Sequence, residues 1–361
     1  MVVIHVWLEP PWTRMLALEE RLPHALLITG AAGLGKRDFA EALAARLLCE
    51  HPLASGEACG ACLPCRWRLS GNHPDLHRLV PESEAGEGAE EGEGTAGEGK
   101  EKAGAENAKA EKTRSSQILI DQVRAVQEAL TLTAHHGGRR VVIVDPAEAM
   151  NAYTANALLK LLEEPPPGCT FLLVSPALKK LLPTIRSRCQ QWPMPRPDAG
   201  QLRRWQTGTA VSVRLLAVTG GTPLAAERLA AQGVEALLAR FVADLCAADF
   251  DPLRLAGQWE SWLKKDKAML AAGIGLVTLV DWMQRWVSDL VALRLGGRVR
   301  YFPAEQQNLS GLAARMSVAG ATSCYNDLIN IRRVSAHPLN LRLFLEDMLL
   351  RYMRGIKGGQ A

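Results

Sequence analysis

"GAAGLGKRDFA", residues Gly30 to Ala40, decides the fold of this 361-residue chain. It follows a short apolar run, "HALLITG" (24–30), that reads as a buried strand. It leads into Asp38 to Leu48, where Phe39, Leu43 and Leu47 recur at helical spacing. Strand, glycine-rich turn, lysine and helix is the order in which backbone N–H groups surround a polyphosphate, with the helix N-terminus adding favourable potential. Gly30, Gly33 and Gly35 let the backbone bend and approach closely, and Lys36 would meet the β- and γ-phosphates. The full motif then needs a Ser or Thr hydroxyl for Mg²⁺. Arg37 stands there instead, a cation with no lone pair to offer. The plainer alternative is a glycine-rich turn that only caps a buried helix.

A second acidic motif is expected at the end of another strand. "RRVVIVD" (139–145) is such a strand, and the Asp145 carboxylate would hold the metal. In ATP-hydrolysing proteins of this type a Glu usually follows and orients the attacking water. Here the next residue is Pro146, and Glu148, three residues beyond Asp145, is expected to point elsewhere. An Asp in this place also suits a helix cap. Phosphoryl transfer depends on charges placed around the γ-phosphate. With the hydroxyl and the water-directing carboxylate both absent, hydrolysis is expected to fail, while Lys36 and the glycines leave nucleotide binding open.

Around these motifs the chain alternates strand and helix. "HPDLHRLVPE" (73–82) is strand-like. "SSQILIDQVRAVQEAL" (115–130) is a helix with Asp121 as its cap and Val123, Val126 and Leu130 on one face. "NAYTANALLKLLEEPPPG" (151–168) is a helix stopped by prolines, and "CTFLLVS" (169–175) is another buried strand. Such alternation implies a parallel sheet covered on both faces. From Pro197 onward the strand signals vanish. "DAGQLRRWQTG" and "VRLLAVTGGTPLAAERLAAQ" read as short helices, and from about Val234 to Met353 the pattern is nearly all helical. The expected fold is an α/β, P-loop type parallel-sheet domain over 1–196, a small helical domain over 197–233 and an all-α C-terminal bundle over 234–361.

The formal charge of +4 is unevenly spread: residues 82–112 hold ten Glu and four Lys, a net of −6, which leaves +10 on the rest. A basic body suits an anionic partner such as nucleic acid, although proteins that bind none carry similar surfaces. Residues 83–113 contain no large apolar side chain, so they are expected to form a disordered insertion. No apolar run is long enough to span a bilayer, and "MVVIHVWLEPPWTRM" lacks the basic start and cleavage site of a secretory signal. A soluble, cytoplasmic protein without a membrane partner is expected.

Four of the eight cysteines, Cys49, Cys59, Cys62 and Cys65, crowd into "CEHPLASGEACGACLPC". Without a secretory signal, such a cluster points to metal rather than to disulfides. Spacings of three turn sulfurs toward one ion, and Cys49 would close a tetrahedron from the preceding helix. Structural zinc favours four thiolates, which leave no open position for water. Free thiols, an iron–sulfur cluster, or a site drawing on His51 or His73 are the alternatives. Further on, "TIRSRCQQW" carries Arg186 and Arg188 after a strand-like run. An arginine at a domain edge can stabilise charge on a neighbour's γ-phosphate. A surface arginine paired with a carboxylate would give the same spacing.

Taken together, "GAAGLGK", the four-cysteine knuckle, "NALLKLLEEPPPG", "FLLVS" and "SRC", in this order, resemble bacterial clamp-loader subunits of the AAA+ class, among them the γ/τ and δ′ subunits of DNA polymerase III. The resemblance is specific over about residues 10 to 195 and follows pattern alone beyond. The γ/τ type keeps a hydroxyl after the phosphate-loop lysine, Asp-Glu in the second motif and a nucleotide-sensing arginine in the small helical domain. Arg37, Asp145-Pro146 and Leu224 in "GGTPLAA" depart from all three, as in the non-hydrolysing type. The resemblance implies that Arg188 is a finger presented to ATP on a γ/τ neighbour, with Ser187 and Cys189 as its flanks. It places Ser175 at the first sensor position. It implies a hetero-pentamer with γ/τ and δ subunits, joined through the C-terminal bundle, that loads the sliding clamp onto primed DNA, with phosphate contacts sensitive to salt. Two other readings stay open from the residues: an active ATPase that tolerates an unusual loop, and a zinc-containing nucleic-acid-binding module unrelated to clamp loading.

Overall fold

The structure is a computed structural model that describes residues 4–18, 21–83, 115–131, 138–247, 249–335 and 340–357. Apart from Ser83, the segment 83–113 lies outside the described residues. The chain divides into two compact units, Met1–Pro195 and Arg196–Ala361.

The first unit runs α1 (Glu9–Leu16), β1 (Ala25–Thr29), α2 (Lys36–Leu48), α3 (Leu63–Leu69), β2 (Leu76–Leu79), α4 (Ile120–Thr131), β3 (Arg140–Val144), α5 (Ala152–Glu163), β4 (Cys169–Ser175), α6 (Pro183–Arg188) and β5 (Gln190–Pro193). The strands form one five-stranded sheet in the order β2-β3-β4-β1-β5. Every pairing is parallel, with Leu27 opposite Leu173 and Val142 opposite Phe171. β1 and β3 are buried along their whole length, as strands covered on both faces must be. Val123, Val126 and Leu130 of α4 and Leu158 and Leu162 of α5 pack with Leu27, Val142, Val144, Phe171 and Leu173 in one core layer. α2 buries Phe39, Leu43 and Leu47, and Trp12 of α1 meets Phe39 edge-on at 5.6 Å.

Several local expectations need correction. α2 begins at Lys36, not Asp38, because Gly35 in the left-handed region already turns the chain into the helix. Asp121 is not a cap: it lies inside the first turn of α4 and pairs with Arg124 at 3.2 Å. The Leu119 N–H at that helix start donates to Gln122 Oε1 instead, at 3.0 Å. Arg186 and Arg188 follow β4, as expected, and lie on a helix, α6. α1, α3 and β5 go beyond the sequence expectation; β5 buries only Trp192 and so shows no alternating pattern.

Between β2 and α4 the two ends flanking the acidic segment are tied together. Ser83 N–H donates to the Ser115 carbonyl at 3.1 Å, and Ser115 N–H donates to the Glu82 carboxylate at 3.4 Å.

The second unit is helical throughout its described residues: α7 (Ala199–Gln206), α8 (Val213–Val218), α9 (Pro223–Ala231), α10 (Val234–Cys246), α11 (Pro252–Lys265), α12 (Lys267–Ala271), α13 (Leu276–Arg294), α14 (Gln306–Arg315), α15 (Val318–Val334) and α16 (Leu341–Lys357). Its buried side chains form one cluster from Val211 to Tyr352. Phe241 is central to it, 5.5 Å from the rings of both Trp259 and Trp282. The buried Asp289 accepts from the backbone N–H groups of Arg300, Tyr301 and Phe302 at 2.8–2.9 Å, which pins that loop to α13. Among the described residues no helix is long and apolar enough to cross a membrane.

Candidate functional site

The phosphate-loop residues stand at the carboxyl end of β1, beside the ends of β4 and β5, where open parallel sheets bind ligands. Gly30, Gly33 and Gly35 all have positive φ. Gly35 is required twice over: at φ +81° a side chain is strained, and a Cβ there would lie 2.6 Å from His5 Cδ2. His5 belongs to an N-terminal segment laid against the loop. Its Nε2 meets Asp38 Oδ2 at 2.9 Å, its ring stacks on Trp7 at 4.8 Å, and the Trp7 indole donates to the Leu34 carbonyl at 2.9 Å. No motif announces these contacts; the aromatic pair at positions 5 and 7 is the only signal in the sequence.

Lys36 is buried, and its ammonium donates to the Ala31 carbonyl within its own loop at 2.7 Å. Arg37 does more than remove a hydroxyl. Its guanidinium pairs with Asp145, the carboxylate at the end of β3, which is buried. The carboxylate expected to hold a metal therefore faces a cation fixed to the protein. Ser175, at the end of β4 opposite Thr29, is buried, and its hydroxyl accepts from the Ala177 N–H at 3.2 Å.

The four cysteines converge. Cys49 caps the end of α2, Cys62 precedes α3, and Cys65 lies within α3. All four Sγ atoms lie within 4.8 Å of one another, with Cys49–Cys62 at 3.9 Å and Cys59–Cys65 at 4.0 Å. Zinc–sulfur bonds of about 2.3 Å in a tetrahedron put sulfurs about 3.8 Å apart, so the donor set fits such an ion. Among the described residues no histidine joins the cluster; His73 instead accepts from the Asp75 N–H at 3.0 Å and sets its ring edge-on to Trp67 at 6.0 Å. Backbone N–H groups of Cys62 and Ala61 pull the Cys59 thiol down to about 6, whereas burial pushes Cys65 up. The site thus offers one ready thiolate at Cys59, and an ion would have to displace the protons that burial favours on Cys49 and Cys65.

Arg188 closes α6, half exposed. One guanidinium nitrogen donates to the Thr184 carbonyl at 3.2 Å and lies 3.4 Å from the Ser187 hydroxyl; another meets Glu163 at 2.5 Å. Cys189, the next residue, is buried and its thiol is pushed up to about 12 by that burial, so it anchors the arginine's backbone and is unsuited to be a nucleophile. Glu163 was not among the candidate residues. It is the last residue of α5, within "LEEPPPG", and a charged residue before a proline stop reads as solvated surface from sequence alone.

The family model described as "DNA polymerase III, delta subunit" matches residues 12–198, more than half of the chain. The DNA polymerase III subunit delta′ of Pseudomonas aeruginosa is 35% identical over 302 residues, 82% of this chain and 79% of that one. The delta′ subunit of Escherichia coli is 29% identical over 365 residues, covering 98% of this chain and 96% of that one. A solved structure of a DNA polymerase III gamma subunit-related protein from Thermotoga maritima aligns with a TM-score of 0.47 at 17% identity, over 96% of this chain and 99% of that chain. The family model and the Pseudomonas aeruginosa and Escherichia coli relatives agree, and the chain belongs to the delta′ family of DNA polymerase III clamp-loader subunits.

Proposed function

We propose that this chain is the clamp-loader subunit that does not split ATP, and that it lends Arg188 to a nucleotide held by a γ/τ neighbour. The observation that carries the first half is the Arg37–Asp145 pair. Mg²⁺ needs the very carboxylate that Arg37 neutralises, and Pro146 leaves no group to direct water. For the second half, the support is a half-exposed guanidinium at the end of a helix, next to a buried anchor. Gly30, Gly33, Gly35 and Lys36 are then a degenerate nucleotide cradle, and Ser175 a sensor without a reaction to sense.

In this reading the cysteine knuckle holds structural zinc. Residues 197–233 act as a lid-like helical piece, and 234–361 form the collar that joins a cytoplasmic hetero-pentamer with γ/τ and δ. The complex acts on the sliding clamp and primed DNA. Two measurements test it. The purified chain should turn over no ATP above a Lys36→Ala control, and it should co-purify with γ/τ subunits. Turnover that Lys36→Ala abolishes would make it a motor instead.

A further inference from the structure

We propose that Glu163 is the positioning residue for Arg188: it holds the guanidinium in the orientation in which its remaining N–H groups reach a phosphate outside the chain. The inference rests on the finger reading above. An arginine on a surface helix ordinarily samples many rotamers, and a guanidinium acts on developing charge only when it is fixed before the reaction. Arg188 has two holders of different kinds. Thr184 and Ser187 come from its own helix and move with it. Glu163 comes from α5, 25 residues earlier, and contributes the one charged contact among the described residues, at 2.5 Å.

The position of Glu163 is itself built in. α5 starts on the Asn151 side chain, which accepts from the Thr154 N–H, and ends before Pro165-Pro166-Pro167. The turn that follows is held by the buried Arg140. Its guanidinium donates to the Leu130 carbonyl at 2.5 Å and to the Pro167 carbonyl at 3.2 Å, and its backbone N–H donates to Gly168 at 2.9 Å. Gly168 cannot carry a side chain, because at φ +72° a Cβ would lie 2.0 Å from the Gly138 carbonyl oxygen. The end of α5 is thus fixed against β3, and Glu163 with it. The pair remains reachable from outside: the Arg188 side chain is 37% exposed and that of Glu163 47%. With Nη2 on Glu163 and Nη1 on the Thr184 carbonyl, the Nε–H and the second N–H of Nη2 remain for a side-on, bidentate grip on phosphate.

The test is a loader reconstituted from the full chain and its partner ATPase subunits, with the chain as wild type, Glu163→Ala, Glu163→Gln, Arg188→Ala or the Glu163→Ala/Arg188→Ala double variant. Assembly is checked by co-elution, and steady-state ATPase is resolved into kcat and KM. Glu163→Ala should lower kcat about tenfold with KM unchanged, because the cation is misplaced rather than lost. Glu163→Gln, which still accepts a hydrogen bond, should recover part of that loss. The double variant should be no slower than Arg188→Ala alone, since a residue that acts only through another adds nothing once the other is gone. A kcat for Glu163→Ala that is unchanged or raised while Arg188→Ala is slow overturns the positioning role and leaves the finger standing. An additive double variant also overturns it. An Arg188→Ala loader as fast as wild type overturns the finger reading itself.

Discussion

Arg37 and Arg188 are both arginines salt-bridged to a carboxylate, and the contrast between them separates the two ends of this molecule's chemistry. Arg37 is 56% exposed, but its partner Asp145 is only 9% exposed; Arg188 and Glu163 are 37% and 47% exposed. In the first pair a cation covers a carboxylate that faces the protein interior, and the group lost to solvent is the one a metal would need. In the second pair both members remain wet, so the arginine can exchange part of its solvation for an incoming phosphate at little cost. In the proposed function the same residue type closes one site and keeps another available, and what decides is the burial of the acid rather than the presence of the base.

The sharpest way to break this contrast is Arg188→Ala in the assembled loader. An arginine finger is worth about 10³–10⁵ in rate, so ATPase at the site it serves should fall by one to several powers of ten. Stability of the isolated chain should change by less than about 0.5 kcal/mol, as for other exposed positions. A fall in melting temperature without a fall in rate would make Arg188 structural, like Arg37. Next in size is removal of the zinc proposed for the four cysteines. Chelation, or Cys65→Ser, should remove a few kcal/mol of local structure and lower the melting temperature by roughly 5–10 °C, read by calorimetry. If the knuckle were instead a nucleic-acid reader, DNA binding would be lost with melting unchanged. The smallest effect belongs to Arg37→Ala. Losing a half-exposed partner of a buried carboxylate should cost about 1 kcal/mol in denaturant unfolding, with loader ATPase unaltered. A large rate effect there would make the closed site a working one.

Much of the fold is legible in the sequence. The parallel sheet follows from the apolar runs within strands such as Ala25–Thr29 and Arg140–Val144, set between amphipathic helices. Those strands are central, and central strands show their burial as unbroken apolar runs. β5 escaped notice because an edge strand with one buried residue has no pattern to show. The cysteine cluster was legible because ligand spacing is local. The partners of the two arginines were not, because Arg37 lies 108 residues from Asp145 and Arg188 meets an acid on another helix. Spacing nominates a charged residue; only the fold says which opposite charge it meets. His5 and Trp7 belong to the same class, since what they do depends on Leu34 and Asp38, some thirty residues away.

The hydrogen-bonded clasp at Ser83 and Ser115 carries a practical corollary. These two hydrogen bonds fix where the chain leaves β2 and where it approaches α4. Doubling the length of a flexible loop costs only about 0.6 kcal/mol in closure entropy. As an expected outcome, a variant with the glutamate-rich stretch exchanged for a short linker should keep β2 and α4 in place as long as the Ser83–Ser115 and Ser115–Glu82 hydrogen bonds can form, which its unfolding midpoint would check.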